Sequence, residues 1–457
     1  MTQPPPAKLQ ELRLSRRQLL ALVGAAGSAA AMAELSSCKW DHPEEPLTVW
    51  LIWPKDPGMP ITSLMERLAV ARRGLEVEIG SVSSSNIREK LIASAQQHTL
   101  PDIFLISSAW LQELGGELNL QDLAPLAAAD GLNPASLLVP HDYQRCQVGG
   151  KLLCLPAVSS RGTSMLFVNR ALLDRFALGS VPRFRNWAEF TEISRDWVAK
   201  ANQPDNLEYI SLDPFMGPGM VIHTSLALGI GSPMTTEDGR RSLLDSPGSL
   251  RVGMALDRYV QDVYGPFGGY RALLQFRFRF AGQHRKPAFY ALPFTRSFAN
   301  ISAAGTIAAF QQLGVPPSRL AVQPVPGLER LHGGILSHGW AYALNRHSPR
   351  QAAAWQVLRF LTLDPEGGGK FCLDYRRPSH LRIPGDDAYF QVVGDIWNGV
   401  REAMALDIPY PAAADSEWLR YHIFTVPMRR MRGESIEEIF GDLCVLHQAH
   451  LDNRAMP

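Results

Sequence analysis

The strongest constraint on the fold is the alternation of strand and helix signals between residues 47 and 106. Leu47-Thr48-Val49-Trp50-Leu51-Ile52 is a β-prone apolar run of strand length. It is closed by the loop signal Trp53-Pro54-Lys55-Asp56-Pro57-Gly58. From Met59 to Arg73, the residues Ile61, Leu64, Met65, Leu68 and Ala69 recur at helical spacing, and Gly74 stops the pattern. Leu75-Glu76-Val77-Glu78-Ile79 alternates like a half-buried strand. Asn86 to Gln97 reads as a helix with Ile87, Leu91, Ile92 and Ala95 inward, and Pro101 to Ile106 as a short apolar strand. The order strand–helix–strand–helix–strand predicts an α/β unit with a parallel sheet. Ligands bind beyond the carboxyl ends of such strands, here at Trp53–Asp56 and Ser107–Trp110.

Further along, Gly149-Gly150 signals a hairpin that pairs Val148 with Lys151 and Cys146 with Leu153. Cys154 then falls one residue out of register, so Cys146 and Cys154 read as two buried free thiols. Helices are expected at 171–176, 187–200, 221–228, 249–263 and 352–363. Another is expected near 435–447, with Ser435 as N-cap and Glu438 three positions on. Trp187 and Trp355 lie in helical stripes and Trp50 in a strand, all as packing residues. Arg277, Arg279, Arg285 and Lys286 interleave with Phe276, Phe278 and Phe280, which reads as an alternating strand with one polar face.

The 457 residues amount to two or three domains of ~100–200 residues each. Lys+Arg number 45 and Asp+Glu 44, so the chain lacks the basic excess of a nucleic-acid binder. That balance is uneven: residues 1–37 carry a net +2, which leaves −1 on the rest. Arg16-Arg17 precede the small, apolar run Leu19–Gly27, which continues to Ala33, too short for a comfortable membrane span. A positive segment followed by such a run describes an export signal. Its right edge, Leu35-Ser36-Ser37-Cys38, resembles a lipobox, and Ser15-Arg16-Arg17-Gln18-Leu19-Leu20 resembles a twin-arginine signal. Lipidation of Cys38 would anchor the mature domain to a membrane face. No Cys/His spacing suits a metal, and no GxSxG, HExxH or P-loop occurs.

The ordered set of motifs resembles the carbohydrate-type extracellular solute-binding proteins of bacterial ABC importers, the family of the maltose- and trehalose-binding proteins. The segments that carry it are Arg88-Glu89-Lys90-Leu91 through Pro101-Asp102-Ile103-Phe104, then Ala109-Trp110-Leu111 through Leu120-Gln121-Asp122-Leu123. Gly150-Lys151-Leu152 with Leu155-Pro156, Phe167-Val168-Asn169-Arg170 and Trp187-Ala188-Glu189-Phe190 follow in order. Val325-Pro326-Gly327 and Ala353-Ala354-Trp355 through Phe360-Leu361-Thr362 complete the set, spanning residues 46–447. The family's Gly-x-Trp turn is missing; Phe294 stands where its sugar-stacking Trp is expected.

The resemblance implies an α/β, two-lobed periplasmic-binding-protein fold with an interlobe cleft and several crossing segments. Residues 1–37 would be a lipoprotein signal peptide and 38–45 a tether. Residues 46–156 plus 336–362 would form lobe 1, and 157–335 plus 363–450 lobe 2. Crossings are expected near Ala157–Ser160, Leu336–Trp340 and Thr362–Pro365. The implied function is capture of a mono- or oligosaccharide by hinge closure, without chemistry or cofactor, and delivery to ABC permease subunits by a monomer. The protein would be exported and lipid-anchored to the cell envelope. Aromatic rings pack on the C–H face of a sugar, and polar groups bind its hydroxyl edge. Ligand-binding candidates are Trp53, Lys55, Asn86, Ser107, Ser108, Trp110, Ser159, Ser160, Arg161, Phe294, Trp340, Tyr375 and Arg376, with Arg377 beside them. Two other readings are open. In one, Arg161, Arg376 and Arg377 clamp a polyol phosphate or other anion. In the other, the chain is a surface-anchored hydrolase using a carboxylate pair such as Asp386-Asp387 or Glu437-Glu438.

Overall fold

The apolar strand Leu47–Leu51 lies between Val77–Ser81 and Ile103–Ser107, parallel to both. The computed structural model describes residues 46–454 except 54–59, 73, 84–85, 162–163, 216–218, 237, 282–294, 303–306, 308–315, 336–338, 376, 383–395, 410–417 and 420–421. The five-stranded sheet is completed out of chain order: Trp340–Leu344 runs antiparallel to Ile103–Ser107, and Leu155–Pro156 antiparallel to Trp340–Leu344. All five side chains of Ile103–Ser107 are buried, as expected of a central strand covered on both faces. The expected helices form at Pro60–Ala71 and Ile87–Gln96.

The first core gathers buried residues from Leu47 to Val158 and from Ala341 to Leu381. Leu363, Phe371, Cys372 and Leu381 belong to it, beyond the expected lobe boundary at 362. The chain therefore does not leave this lobe at the crossing expected near Thr362–Pro365. Helix Gln351–Thr362 runs into the turn Pro365–Gly369, which folds back onto the helix end. A Cβ at Gly367 or Gly368 would overlap the carbonyls of Phe360 and Leu361, so glycine permits the reversal. Leu381 then bridges Leu138, and Arg382 N–H donates to the Leu137 carbonyl at 2.8 Å.

The second core surrounds Met165–Asn169, which is antiparallel to both Ala299–Ser302 and Leu320–Gln323. Helices Trp187–Ala201, Gly219–Gly229, Pro247–Tyr264 and Ile436–Arg454 contribute to this lobe. A third cluster packs helix Ile396–Ala405 over the strands Met165–Asn169 and Leu320–Gln323 through Trp397, Phe167 and Val322. The last long helix carries the expected capping box: Ser435 N–H donates to Glu438 Oε2 at 2.7 Å, and Glu438 N–H to Ser435 Oγ at 3.1 Å.

The hairpin forms in the expected register, with Val148 opposite Lys151, and Cys146 and Cys154 are buried free thiols. Trp187 and Trp355 are buried as expected. Trp50 is only half-buried, with the Lys90 ammonium 4.1 Å from the ring centroid. The basic-aromatic segment is a correction: Tyr270–Ala281 is a helix, not an alternating strand. Ala272, Leu273 and Phe276 are buried at helical spacing, Phe278 is exposed, and Arg277 forms a bidentate pair with Asp213 at 2.6 Å. Burial of Tyr270, Leu273 and Phe276 against the second core outweighs the local period of 2. Arg285 and Lys286 lie outside the described residues. Among the described residues, no helix is long and apolar enough to cross a membrane and no His/Cys/Asp/Glu group suits a metal.

Candidate functional site

Pairing of Ser107 with Trp340 brings two expected site segments to the carboxyl end of strand Ile103–Ser107. Trp110 follows Ser107 in a short 3-10 turn, and its ring meets Trp340 edge-on at 5.9 Å. Trp110 is buried and Trp340 half-buried, so the second tryptophan is the more available of the pair. Ser107 and Ser108 are both buried.

Trp53 lies just past strand Leu47–Leu51, buried in an aromatic cluster: Phe371 at 5.2 Å, Tyr375 at 6.1 Å and Tyr342 at 6.5 Å. Tyr375 is half-buried, and the Arg377 guanidinium lies 5.2 Å from its ring centroid. The structure thus joins Tyr375 to Trp53, which is a buried packing partner of Phe371 and Tyr342. Asn86 is exposed at the N-terminus of helix Ile87–Gln96, without a capping bond from its side chain. Lys55, Phe294 and Arg376 lie outside the described residues, as does Cys38.

Ser159 and Ser160, at the first expected crossing, are already engaged. Ser159 Oγ donates to Asp142 Oδ2 at 2.6 Å; Ser160 donates to Asp142 Oδ1 from N–H at 2.9 Å and from Oγ at 2.8 Å. Arg161 N–H donates to Ser159 Oγ at 3.2 Å. Arg145 completes the group: Nε donates to Asp142 Oδ1 at 3.0 Å, Nη2 to the Val158 carbonyl at 2.8 Å and Nη1 to Ser108 Oγ at 3.2 Å. Ser108 Oγ also accepts from Gly339 N–H at 3.0 Å. Both charged side chains are buried. Burial alone would raise the carboxyl pKa of Asp142. The Arg145 charge and the hydrogen bonds from Ser159 and Ser160 outweigh it and hold Asp142 below the ordinary carboxylate value. Sequence reasoning missed Asp142 and Arg145. Their only signal is an i, i+3 opposite-charge pair, which usually marks a solvated helix face.

A second buried pair sits beside this network. Cys372 Sγ lies 3.3 Å from His380 Nδ1, and His380 Nε2 lies 2.6 Å from the Thr362 carbonyl, to which it donates. Burial drives both groups neutral, lifting the thiol to about 12 and lowering the imidazole to about 4. A thiol held this far above neutrality supplies no thiolate, so the pair is a structural contact rather than a nucleophile and base. Glu437 and Glu438 sit in the first turn of the last helix, where the Glu438 carboxylate accepts from the N–H of the N-cap Ser435.

The site elements are thus a tryptophan pair and an aromatic cluster at the carboxyl ends of the parallel strands of one lobe's sheet, beside chain segments that link two cores. The fold recurs in solved structures. An ABC substrate-binding protein from Listeria monocytogenes in complex with cycloalternan matches with a TM-score of 0.70 at 15% identity, over 89% of this chain and 98% of that one. The sugar-binding protein MalE from Xanthomonas citri matches at 0.66 and 17%, over 90% and 98%. UgpB from Mycobacterium tuberculosis in complex with glycerophosphocholine matches at 0.68 and 12%, over 90% and 100%. These likenesses establish the two-lobed periplasmic-binding-protein fold. No curated protein sequence matches the chain. The sequence profile described as bacterial extracellular solute-binding protein matches residues 62–367, about two thirds of the chain, and the protein belongs to that family.

Proposed function

We propose that the protein is the substrate-binding lipoprotein of an ABC importer, capturing a mono- or oligosaccharide between its lobes and delivering it to a permease. The observation that carries this reading is the Trp110–Trp340 pair at the carboxyl end of strand Ile103–Ser107. A half-buried indole at this end of the sheet offers an apolar face for sugar C–H groups, and the adjoining polar groups supply the hydrogen bonds. Family membership and the sugar-binding neighbours support it. Trp53, Lys55, Asn86, Ser107, Arg161, Phe294, Tyr375 and Arg376 complete the proposed site. Ser108, Ser159 and Ser160 contribute through the buried network rather than by direct contact. The protein acts as a monomer and catalyses no reaction. Lipid on Cys38 holds it at the envelope, facing outward, after removal of residues 1–37.

A polyol-phosphate ligand is the second reading. It is favoured by Arg161 and Arg377 near the site and by the neighbour that holds glycerophosphocholine. A thermal-shift panel on residues 39–457 separates the two. The sugar reading predicts a rise in Tm with one or more neutral saccharides and none with glycerol 3-phosphate or glycerophosphocholine. A rise confined to the phosphates would replace it with the second reading.

A further inference from the structure

Asp142 and Arg145 sit where three stretches of chain converge on the first lobe. The first is Ala157–Ser160: Ser159 and Ser160 donate to Asp142, and the Val158 carbonyl accepts from Arg145. Ala157 N–H also donates to the Trp340 carbonyl at 2.9 Å. The second is Gly339–Trp340. Ser108 and Gly339 are doubly bonded, Ser108 N–H to the Gly339 carbonyl at 2.9 Å and Gly339 N–H to Ser108 Oγ at 3.0 Å, and that Oγ also accepts from Arg145. The third is the stretch around His380. The helix Pro140–Gln144 that carries Asp142 is tied to it through Val139 N–H, which donates to the His380 carbonyl at 2.8 Å. Arg382 Nε reaches the Leu138 carbonyl at 2.8 Å.

Two features mark this as a fitted device rather than a chance ion pair. Both carboxylate oxygens of Asp142 are used, and the three guanidinium nitrogens of Arg145 each have a separate acceptor. A buried pair is held this way only when its remaining hydrogen-bonding positions are filled. Gly339 is the second feature: a Cβ there would overlap Arg145 Nη1, so the backbone of the second crossing passes directly over the guanidinium.

We propose that Asp142 and Arg145 are hinge-positioning residues: they clamp the first two crossing segments to the first lobe at Ser160 and Gly339, and thereby fix the lobe-to-lobe geometry from which closure starts. This rests on the reading of the protein as a closing two-lobed binder. With the segments fixed, bending is confined to chain beyond the clamp, and the empty protein occupies a narrow range of interlobe distances. With the clamp broken, the segments themselves flex, and the open–closed balance shifts before any ligand binds.

The test is an interlobe distance measured by double electron–electron resonance on the full chain in detergent. Labels go on Glu117→Cys in the first lobe and Glu192→Cys in the second, both exposed positions, with Cys38 and Cys444 replaced by Ser. Three variants break the clamp differently. Asp142→Asn removes the charge and keeps the shape. Gly339→Ala displaces the guanidinium without deleting a polar group. Ser108→Ala deletes one hydroxyl and is the gentlest for folding. The expected result without ligand is one narrow peak in the unmodified clamp, and a shifted or broadened distribution in the variants that keep native circular dichroism. Faster amide exchange at Ser160 and Ser108 accompanies it. A folded Ser108→Ala or Gly339→Ala protein with an unchanged distance distribution overturns the proposal. Failure of the binding reading looks different: the parent distance then fails to move with any member of the saccharide and glycerol-phosphate panel, whatever the variants do.

Discussion

Cys372 presents its thiol to His380 Nδ1 at 3.3 Å, while the opposite ring nitrogen donates to the end of helix Gln351–Thr362. The pair holds the reversed chain at 363–381 against the first core with neutral groups only. In residues 39–457 a native thiol titration should therefore find only Cys444 reactive, the other three cysteines being buried. All four should react in denaturant. Rapid native labelling of Cys372 would show that its burial has been overstated. Cys372→Ala leaves His380 Nδ1 without its donor, and a loss of about 1–2 kcal/mol is expected by urea unfolding.

Acid should weaken the fold through histidines rather than through Asp142. His223, His332 and His380 are buried, and burial lowers each to about 4 from the ordinary 6.5. Between those values the native state binds fewer protons than the unfolded chain. Stability is thus complete above about pH 6.5 and falls as pH drops toward 4, by up to roughly 3 kcal/mol per histidine. Asp142, shifted below its ordinary value, keeps its contribution until pH falls below that range. Urea midpoints at pH 7 and 4.5 measure the effect. His332→Leu should flatten the slope, because it removes one of the three groups that take up a proton on unfolding. An equal slope in the variant would remove His332 from the account.

Tryptophans at the two ends of the site should separate binding from stability. Trp340→Ala is expected to weaken binding of whichever saccharide raises Tm by about 2 kcal/mol, on the order of thirtyfold, with a smaller effect on unfolding. Trp53→Ala should instead cost about 3–5 kcal/mol of stability, because its ring is packed by Phe371, Tyr375 and Tyr342. Isothermal titration and urea unfolding on both variants check the division, and reversed ranks would refute it.

Tyr342 is fully buried beside Trp53, and its hydroxyl has no hydrogen-bond partner among the described residues. Tyr342→Phe keeps the ring and removes an unsatisfied polar group, so stability should rise by about 1 kcal/mol. A loss on substitution would mean that the hydroxyl has a partner in solution.

Local signals made much of the first lobe legible. The strands at 47–51, 77–81 and 103–107 and the helices between them announce themselves by spacing, and the Gly149-Gly150 turn set its own register. The Ser435–Glu438 box is likewise written in four consecutive residues. What was not legible depends on convergence. Asp142 and Arg145 look like a surface pair until Ser108, Val158 and Gly339 arrive from three other places. Ser159 and Ser160 looked free for a ligand for the same reason. Gly339 carries no signal of its own until Arg145 is seen to fill the space where a Cβ would stand. The helix Tyr270–Ala281 hid behind a short period-2 pattern, and the glycine-lined reversal at 365–369 hid behind an Asp-Pro stop signal that says where a helix ends but not which way the chain then turns.

The out-of-order sheet of the first lobe has a consequence for biosynthesis. Trp340–Leu344 fills the slot between Ile103–Ser107 and Leu155–Pro156, so ribosomal synthesis releases the flanking strands long before their partner exists. Through the making of the 232 residues 108–339, the side of Ile103–Ser107 away from Leu47–Leu51 stays unpaired and open to misassociation. The sheet of the lobe that begins first is thus completed only when residue 344 has emerged.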